Sequence, residues 1–254
     1  MCGRFAVTTD PATLAAVLDA VNETGEMITG PNYNVAPTTS IAAVVTRRDV
    51  PGEVATRRLR LMRWGLLPSW VKADADGRPL LSPKNGGRQL INARADKLTS
   101  SPAFRTAAEH KRCLIPMDGY YEWMPNSDVG GRKAAKTPFY LHRRDGRPLL
   151  AAGLWSAWHP SPATGPVLTC AIVTTDAVDH LGRVHDRMPL LLAEADWDRW
   201  LDPDRPAPTE LLSAAPDIGG IAMRQVSTLV NSVANNGPEL LEPVDSSNQP
   251  VGLF

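Results

Sequence analysis

The amino-acid sequence contains no long hydrophobic run and few cysteines, and both absences bear on where the protein works. No run of about eighteen apolar residues occurs, and the first residues lack the apolar core of a signal peptide. We therefore expect neither a membrane span nor secretion. The three cysteines, Cys2, Cys113 and Cys170, form no C-x-x-C pair. Their odd number argues against a disulfide framework and favours the reducing cytoplasm.

Net charge is also absent, although the charges are unevenly distributed. The 254 residues carry 27 basic and 27 acidic side chains, but residues 1–112 hold 16 basic against 10 acidic. This excess predicts a polyanion-facing side built mainly from the first half, unless surface charges simply cluster there by chance. The cysteines and histidines lack the spacing of metal ligands, so we expect no metal and no cofactor.

Short strand patterns outnumber helical ones along the chain. β-branched or alternating apolar stretches predict strands at 41–46, 59–64, 112–115, 138–142, 149–155, 167–174, 189–193 and 223–228. Helices are predicted at 11–18, 101–109, 194–201 and 208–214, and exposed loops at 72–88 and 126–136. We expect an α+β fold with one domain over residues 1–236, made of mostly antiparallel, barrel-like sheets with short flanking helices. Residues 237–254 are expected to form a loose tail.

The second residue is a cysteine, and its chemistry depends on whether Met1 is removed. Removal of Met1 would give Cys2 a free α-amine beside its thiol, and these groups titrate near about 8 and about 8.5. A 1,2-aminothiol condenses with an aldehyde to an imine, and the thiol then closes a thiazolidine ring. No internal cysteine can do this, because its nitrogen is an amide. The alternative is a cysteine at position 2 by chance.

Six short segments combine reactive residues with rigid glycine or proline positions. They lie at 2–5, 33–38, 63–70, 91–94, 119–123 and 185–189, and they read CGRF, YNVAPT, RWGLLPSW, INAR, GYYEW and HDRMP. In this order, with the cysteine directly after Met1, they resemble the SOS response-associated peptidase (SRAP) family. The resemblance extends from Met1 to about residue 236.

The resemblance implies a function and a set of site residues. Family members bind single-stranded DNA that contains an abasic site and form a thiazolidine between Cys2 and the sugar aldehyde, which protects the lesion. They are also described as peptidases, because Met1 must leave, in one view by self-cleavage. Asn92, Glu122 and His185 are the implied catalytic partners of Cys2. We accordingly expect a crosslinking, lyase-like protein that is a cytoplasmic monomer and joins the nucleoid after damage.

The chemistry of the three partners fits these roles. Imine formation needs a proton for the departing hydroxyl, and Glu122, between Tyr121 and Trp123, is placed to stay a neutral acid. His185 titrates near neutral pH and could protonate the ring oxygen of the closed sugar. Asn92 exchanges no protons at neutral pH, so it is expected to orient the α-amine by hydrogen bonds.

DNA binding requires cations for phosphates and flat side chains for bases. Arginines close to the proposed catalytic positions are predicted to hold the phosphates that flank the lesion, and tryptophans are predicted to stack on unpaired bases. A proline in the second segment is predicted to act as a wedge against a base. These residues are Arg4, Arg94 and Arg187, then Trp64, Trp70 and Trp123, and finally Pro37.

Two other functions remain open from the sequence. One is a cysteine peptidase that acts on protein, with Cys2 as nucleophile and His185 as base. A peptidase needs only the thiol, however, and has no use for a terminal amine. The other is a non-covalent single-strand binding module built on Trp64 and Trp123, which leaves Cys2, Glu122 and His185 without a role.

Overall fold

The computed structural model describes residues 2–28, 30–50, 52–81, 89–126, 135–161, 163–214 and 218–244. Within these residues the strands are β1 (Phe5–Val7), β2 (Val21–Asn22), β3 (Asn32–Val35), β4 (Ser40–Arg47), β5 (Thr56–Trp64), β6 (Asn92–Arg94), β7 (Arg112–Met117), β8 (Gly119–Pro125), β9 (Lys136–Arg143), β10 (Leu149–Trp158), β11 (Val167–Asp176), β12 (Arg187–Pro189) and β13 (Ile221–Gln225). The α-helices are α1 (Pro11–Val17), α2 (Arg105–His110), α3 (Trp197–Leu201) and α4 (Thr209–Ser213). None of these helices is long and apolar enough to cross a membrane.

Five strands close into a small barrel. Strands β5, β4, β7, β10 and β11 follow one another as antiparallel neighbours, and β11 then pairs in parallel with β5 at Thr169–Arg63 and Cys170–Trp64. Gly153 lies in β10, where the barrel strands pack closely. At Gly153, a Cβ atom would lie 2.7 Å from the Cys113 sulfur, so only glycine fits there.

A second sheet packs against the barrel. Its strand order is β13-β9-β8-β1-β3, all antiparallel. One face of this sheet contributes Phe5, Tyr120 and Leu141 to a core shared with Trp64 and Ile172 of the barrel strands. Its other face packs under the segment 226–241. Residues that alternate along β1 and β8 therefore point either toward the barrel or away from it.

The structure confirms the predicted fold class, an α+β domain with a barrel and a few short helices. Seven of the eight predicted strands coincide with observed ones to within a few residues, but the predicted strand at 189–193 is displaced to Arg187–Pro189. Helix α1 begins as expected, because the Asp10 carboxylate accepts hydrogen bonds from the backbone N–H groups of Ala12 and Thr13 at 3.0 Å.

The predicted tail boundary is wrong for residues 237–244. A 3-10 helix spans Pro238–Leu241, Leu240 has no exposed surface, and Pro243 forms a bridge with Val226. Burial of an apolar side chain fixes this segment to the domain despite its polar composition. The rest of the predicted tail lies outside the described residues, as do parts of the two predicted loops.

Arg112 joins the ends of two helices to the barrel. The residue is 3% exposed, and its guanidinium donates only to backbone carbonyls. The acceptors are those of Trp200 (2.6 Å), Ala108 (2.9 Å), Glu109 (2.8 Å), Arg205 (2.6 Å) and Asp202. Burial lowers the pKa of Arg112, but these dipoles satisfy all its donors. The residue therefore acts as a hydrogen-bonding hub for the ends of α2 and α3.

Removal of this hub is expected to destabilise the fold strongly. Arg112→Met keeps the apolar stem but leaves five carbonyls without donors, so the free energy of unfolding should fall by about 3–5 kcal/mol. Urea unfolding measures the loss. Arg48→Met is the matched control, since Arg48 pairs with Asp204 at the exposed surface and should matter far less. Equal losses in the two variants would contradict the stabilising role of the Arg112 hydrogen bonds.

Candidate active site

Four predicted catalytic residues come from distant parts of the chain and lie near one another. Cys2 precedes β1, Asn92 opens β6, Glu122 lies in β8, and His185 precedes β12. Strand β11 aligns two of these elements, because β6 pairs with Ile172–Thr174 and β12 pairs with Thr174–Asp176. Strands β1 and β8 pair directly through Phe5 and Tyr120. The sheet topology thus brings all four residues together.

Cys2 has no exposed surface, and its backbone is fixed by Asn92. The Asn92 side-chain Nδ2 donates a hydrogen bond of 2.8 Å to the Cys2 carbonyl. Burial raises the pKa of the Cys2 thiol far above its usual range, and the nearby Glu122 charge raises it further. At neutral pH the Cys2 sulfur is therefore protonated in this site.

Glu122 is the buried carboxyl group of the site, at 4% exposure. Burial raises its pKa above the usual range, while the nearby His185 acts in the opposite direction. Glu122 also raises the pKa of Tyr120, whose own burial is the larger cause. These effects place Glu122 within electrostatic reach of both Cys2 and His185. Burial thus favours the protonated form of Glu122 more than it would in an exposed carboxyl group.

Asn92 has a second polar atom directed into the protein. Its Oδ1 is buried and has no hydrogen-bond partner among the described residues. A buried acceptor without a donor costs free energy, so such an atom is frequently reserved for a ligand or a reacting group. Since Nδ2 already holds the Cys2 carbonyl, the same amide keeps an acceptor available close to the Cys2 backbone.

His185 has two neighbours at one ring nitrogen. The Arg187 backbone N–H donates to Nδ1 at 3.0 Å, and an oxygen of the exposed Asp186 lies 2.7 Å from the same Nδ1. Both cannot be hydrogen bonds of one tautomer, because the first requires a bare Nδ1 and the second a protonated one. The Arg187 bond has the geometry of a directional hydrogen bond, so we assign the proton of neutral His185 to Nε2.

Two of the predicted phosphate-binding arginines lie beside this site. Arg94 is exposed and forms a bidentate pair with Asp96, with both distances 3.0 Å. Arg187 is buried, donates to the Thr174 carbonyl at 2.5 Å and pairs with the exposed Asp176. The role of both arginines in phosphate binding stays a prediction.

Arg4 makes its polar contacts within the protein. It directly precedes β1, and its Nη1 donates to Asn34 Oδ1 at 2.6 Å and to the Val230 carbonyl at 2.9 Å. Its guanidinium also lies 5.9 Å from the centre of the Trp123 ring. These contacts brace the N-terminal segment against residues 227–236, and the phosphate contact predicted for Arg4 stays a prediction.

The three predicted stacking residues differ in exposure. Trp64 is fully buried, packs on Phe5 with ring centres 5.0 Å apart and donates to the Ile91 carbonyl. It presents no face to a base, so its predicted role is wrong, and its aromatic ring is part of the core. Trp70 is 48% exposed and is free to stack. Trp123 is half-buried and donates to Asn231, so its role stays a prediction.

Pro37 lies in a turn, and a hydrogen bond fixes the backbone of the next residue, Thr38. Thr38 has a φ of 77°, and its N–H donates to the Trp64 carbonyl at 2.8 Å. A left-handed threonine is strained, and such strain is retained where the surroundings fix the conformation. The turn therefore presents Pro37 rigidly, and its role as a wedge stays a prediction.

Sequence reasoning missed Asn34 and the acidic partners of the arginines. Asn34 is 4% exposed, and its Nδ2 donates to the carbonyls of Ser232 and Asn235 at 2.9 Å each. Asp96 is two residues after Arg94, a spacing that suits a local ion pair and could have been recognised. The link between Asn34 and residues 232–235 depends on the tertiary fold and left no local signal.

Comparisons with known proteins agree with this architecture. The family model described as SOS response associated peptidase (SRAP) matches residues 1–233. The abasic site processing protein YoqW of Bacillus subtilis is 33% identical over 244 residues, 95% of this chain and 99% of the relative. The chicken (Gallus gallus) abasic site processing protein HMCES is 30% identical over 237 residues, covering 85% of this chain and 67% of its own length.

Solved structures share the fold. A crystal structure of a Bacteroides thetaiotaomicron protein superimposes with a TM-score of 0.75 at 24% identity, covering 96% of this chain and all of that one. A phage-related protein of Bordetella bronchiseptica gives a TM-score of 0.62 at 27% identity, covering 89% and 94% of the two chains. With a matching family model over nearly the whole length, the chain belongs to the SOS response associated peptidase (SRAP) family.

Proposed function

We propose that the protein processes abasic sites in single-stranded DNA by covalent capture of the sugar aldehyde on Cys2. The observation that carries the proposal is the position of the buried Cys2 beside the Asn92 amide and the buried Glu122 carboxyl, which in turn interacts with His185. The relatives about 30% identical are named abasic site processing proteins, which gives further support.

Capture requires removal of Met1, because only then is the Cys2 nitrogen an amine. The peptidase part of the proposal is that the site itself cleaves the bond between Met1 and Cys2. The free Asn92 Oδ1 is placed to accept a hydrogen bond from the new α-amine, while Nδ2 holds the Cys2 carbonyl. Asn92 would thus fix the amine in the orientation needed for attack.

The first step opens the closed sugar. The protonated, imidazolium form of His185 can give its Nε2 proton to the ring oxygen while the C1 hydroxyl gives its proton to water, which yields the open aldehyde. The α-amine of Cys2 then attacks the aldehyde carbon and forms a carbinolamine. His185 is partly exposed, so an incoming nucleotide can reach it.

The next steps expel water and close the ring. Glu122 gives its proton to the carbinolamine hydroxyl, which leaves as water, and the Glu122 carboxylate then takes the nitrogen proton as the neutral imine forms. The thiol of Cys2 then adds across C=N: a carbon–sulfur bond forms, and the thiol proton ends on the nitrogen. The product is a thiazolidine, and no oxidant or reductant is consumed.

The high thiol pKa favours this reaction over a peptidase acting on other proteins. Cysteine peptidases need a thiolate, and their sites lower the pKa of the nucleophile. Burial in this site does the opposite to Cys2. A thiol that adds to an imine can keep its proton until the carbon–sulfur bond forms. A purely non-covalent binding module would not need the enclosed Cys2, and its proposed platform Trp64 is buried.

Intact mass spectrometry of the protein with an abasic oligonucleotide tests the function. We expect an adduct of the mass of both partners, less Met1 and one water, that survives heating without borohydride. The control is the same strand with a tetrahydrofuran analogue, which has no aldehyde and should give no adduct. An adduct seen only after borohydride reduction would indicate a simple imine and would reject the thiazolidine.

A further inference from the structure

The arginines beside the site are already occupied by carboxylates. Arg94 uses Nε and Nη2 to hold both oxygens of Asp96 at 3.0 Å, and Arg187 pairs with Asp176. Asp186 lies next to them at His185. The aspartates are open to solvent, with side-chain exposures of 47% for Asp96 and 86% for Asp176.

The local charges around these arginines cancel. Arg94, Arg187 and the neighbouring Lys97 interact electrostatically with three carboxylates, those of Asp96, Asp176 and Asp186. A patch without excess positive charge does not attract a phosphodiester from a distance. When a phosphate approaches Arg94, the Nε and Nη2 groups of this arginine already donate hydrogen bonds to Asp96.

We propose that Asp96 is an intramolecular competitor for phosphate at Arg94 and so weakens the hold of the protein on undamaged single-stranded DNA. The carboxylate and a phosphodiester use the same bidentate geometry of the guanidinium edge, and only one of them can occupy it. The inference rests on the proposed function, in which Arg94 contacts the strand.

The consequence is selectivity for the lesion. On an intact strand, a bidentate phosphate contact through Nε and Nη2 of Arg94 must displace Asp96, so the protein dissociates more readily. At an abasic site the covalent bond to Cys2 retains the strand whatever the strength of the ionic contacts. Asp96 therefore makes long residence depend on the aldehyde rather than on the phosphate backbone.

Binding of a labelled undamaged oligo-dT, followed by fluorescence anisotropy, tests this role. Asp96→Asn should tighten binding by about 2- to 5-fold, the range that the usual strength of an exposed ion pair permits. It should also steepen the slope of log K against log salt by about 0.7, since one more phosphate becomes engaged. Asp204→Asn is the matched control, because Asp204 pairs with Arg48 away from the site and should leave both values unchanged.

An Arg94→Ala background distinguishes competition from simple repulsion. If Asp96 competes for Arg94, the gain from Asp96→Asn disappears when Arg94 is absent. A gain of equal size in that background would overturn the inference, because it would mean general charge repulsion. Weaker binding by Asp96→Asn would overturn it too, since Asp96 would then orient Arg94 for phosphate. Failure of the wild-type protein to capture an abasic strand would instead reject the proposed function.

Discussion

Cys2→Ser is expected to lose the heat-stable adduct with abasic single-stranded DNA completely. The variant keeps the α-amine, so it can still form an imine. A serine hydroxyl adds to C=N far less readily than a thiol, however, and the imine hydrolyses on heating. Borohydride should therefore rescue an adduct in Cys2→Ser by reducing the imine. Gel analysis after heating, with and without borohydride, gives both results in one experiment.

The other two cysteines provide the matched controls. Cys113 and Cys170 are as buried as Cys2, and burial raises the pKa of both thiols. Their nitrogens are amides, so Cys113→Ala and Cys170→Ala should retain the heat-stable adduct. A Cys2→Ser protein that forms an equally stable adduct without reductant would reject the thiazolidine mechanism.

The sequence missed most of the strands that carry the six motifs. Strands β1, β3, β6 and β8, which hold four of the six motifs, were not predicted. Three of these strands have only three or four residues, too few for an alternating pattern to be recognised. They are strands because neighbours pair with them, and that pairing depends on contacts far apart in sequence.

Exposure was the property that the sequence could not supply. Trp64 and Trp70 lie in the same motif, yet one is fully buried and the other 48% exposed. Both are large amphipathic side chains, and a tryptophan near a reactive motif is compatible with either position. Arg4 likewise proves to contact Asn34 and Val230, which lie far from it in the sequence.

Glu122→Gln should slow capture by roughly 10²–10⁴-fold, because glutamine keeps the shape of the side chain but cannot deliver a proton to the departing hydroxyl. His185 is assigned to the earlier ring-opening step. An abasic analogue fixed as an open-chain aldehyde separates the two roles. With it, His185→Ala should recover most of its rate and Glu122→Gln should not. Equal recovery of both variants would contradict this division of labour.

Glu122→Gln should also stabilise the fold at neutral pH. This second effect tests whether burial raises the pKa of Glu122. Burial raises the pKa of Glu122 in the folded state above its unfolded value of about 4.3. Between the two values the folded protein binds more protons than the unfolded chain, so stability falls as pH rises through the folded pKa. Glutamine has no charge to bury and avoids this loss.

Urea unfolding of the wild type and Glu122→Gln at several pH values therefore tests the sign of the difference in their unfolding free energies. The variant should be the more stable protein at pH 7, and the difference should vanish below about pH 4.3, where the carboxyl is protonated in both states. Taking the difference between two proteins removes the titration of all other groups. A wild type more stable than Glu122→Gln at pH 7 would mean that its ionised carboxylate is stabilised in the fold, and Glu122 could not then serve as the proton donor.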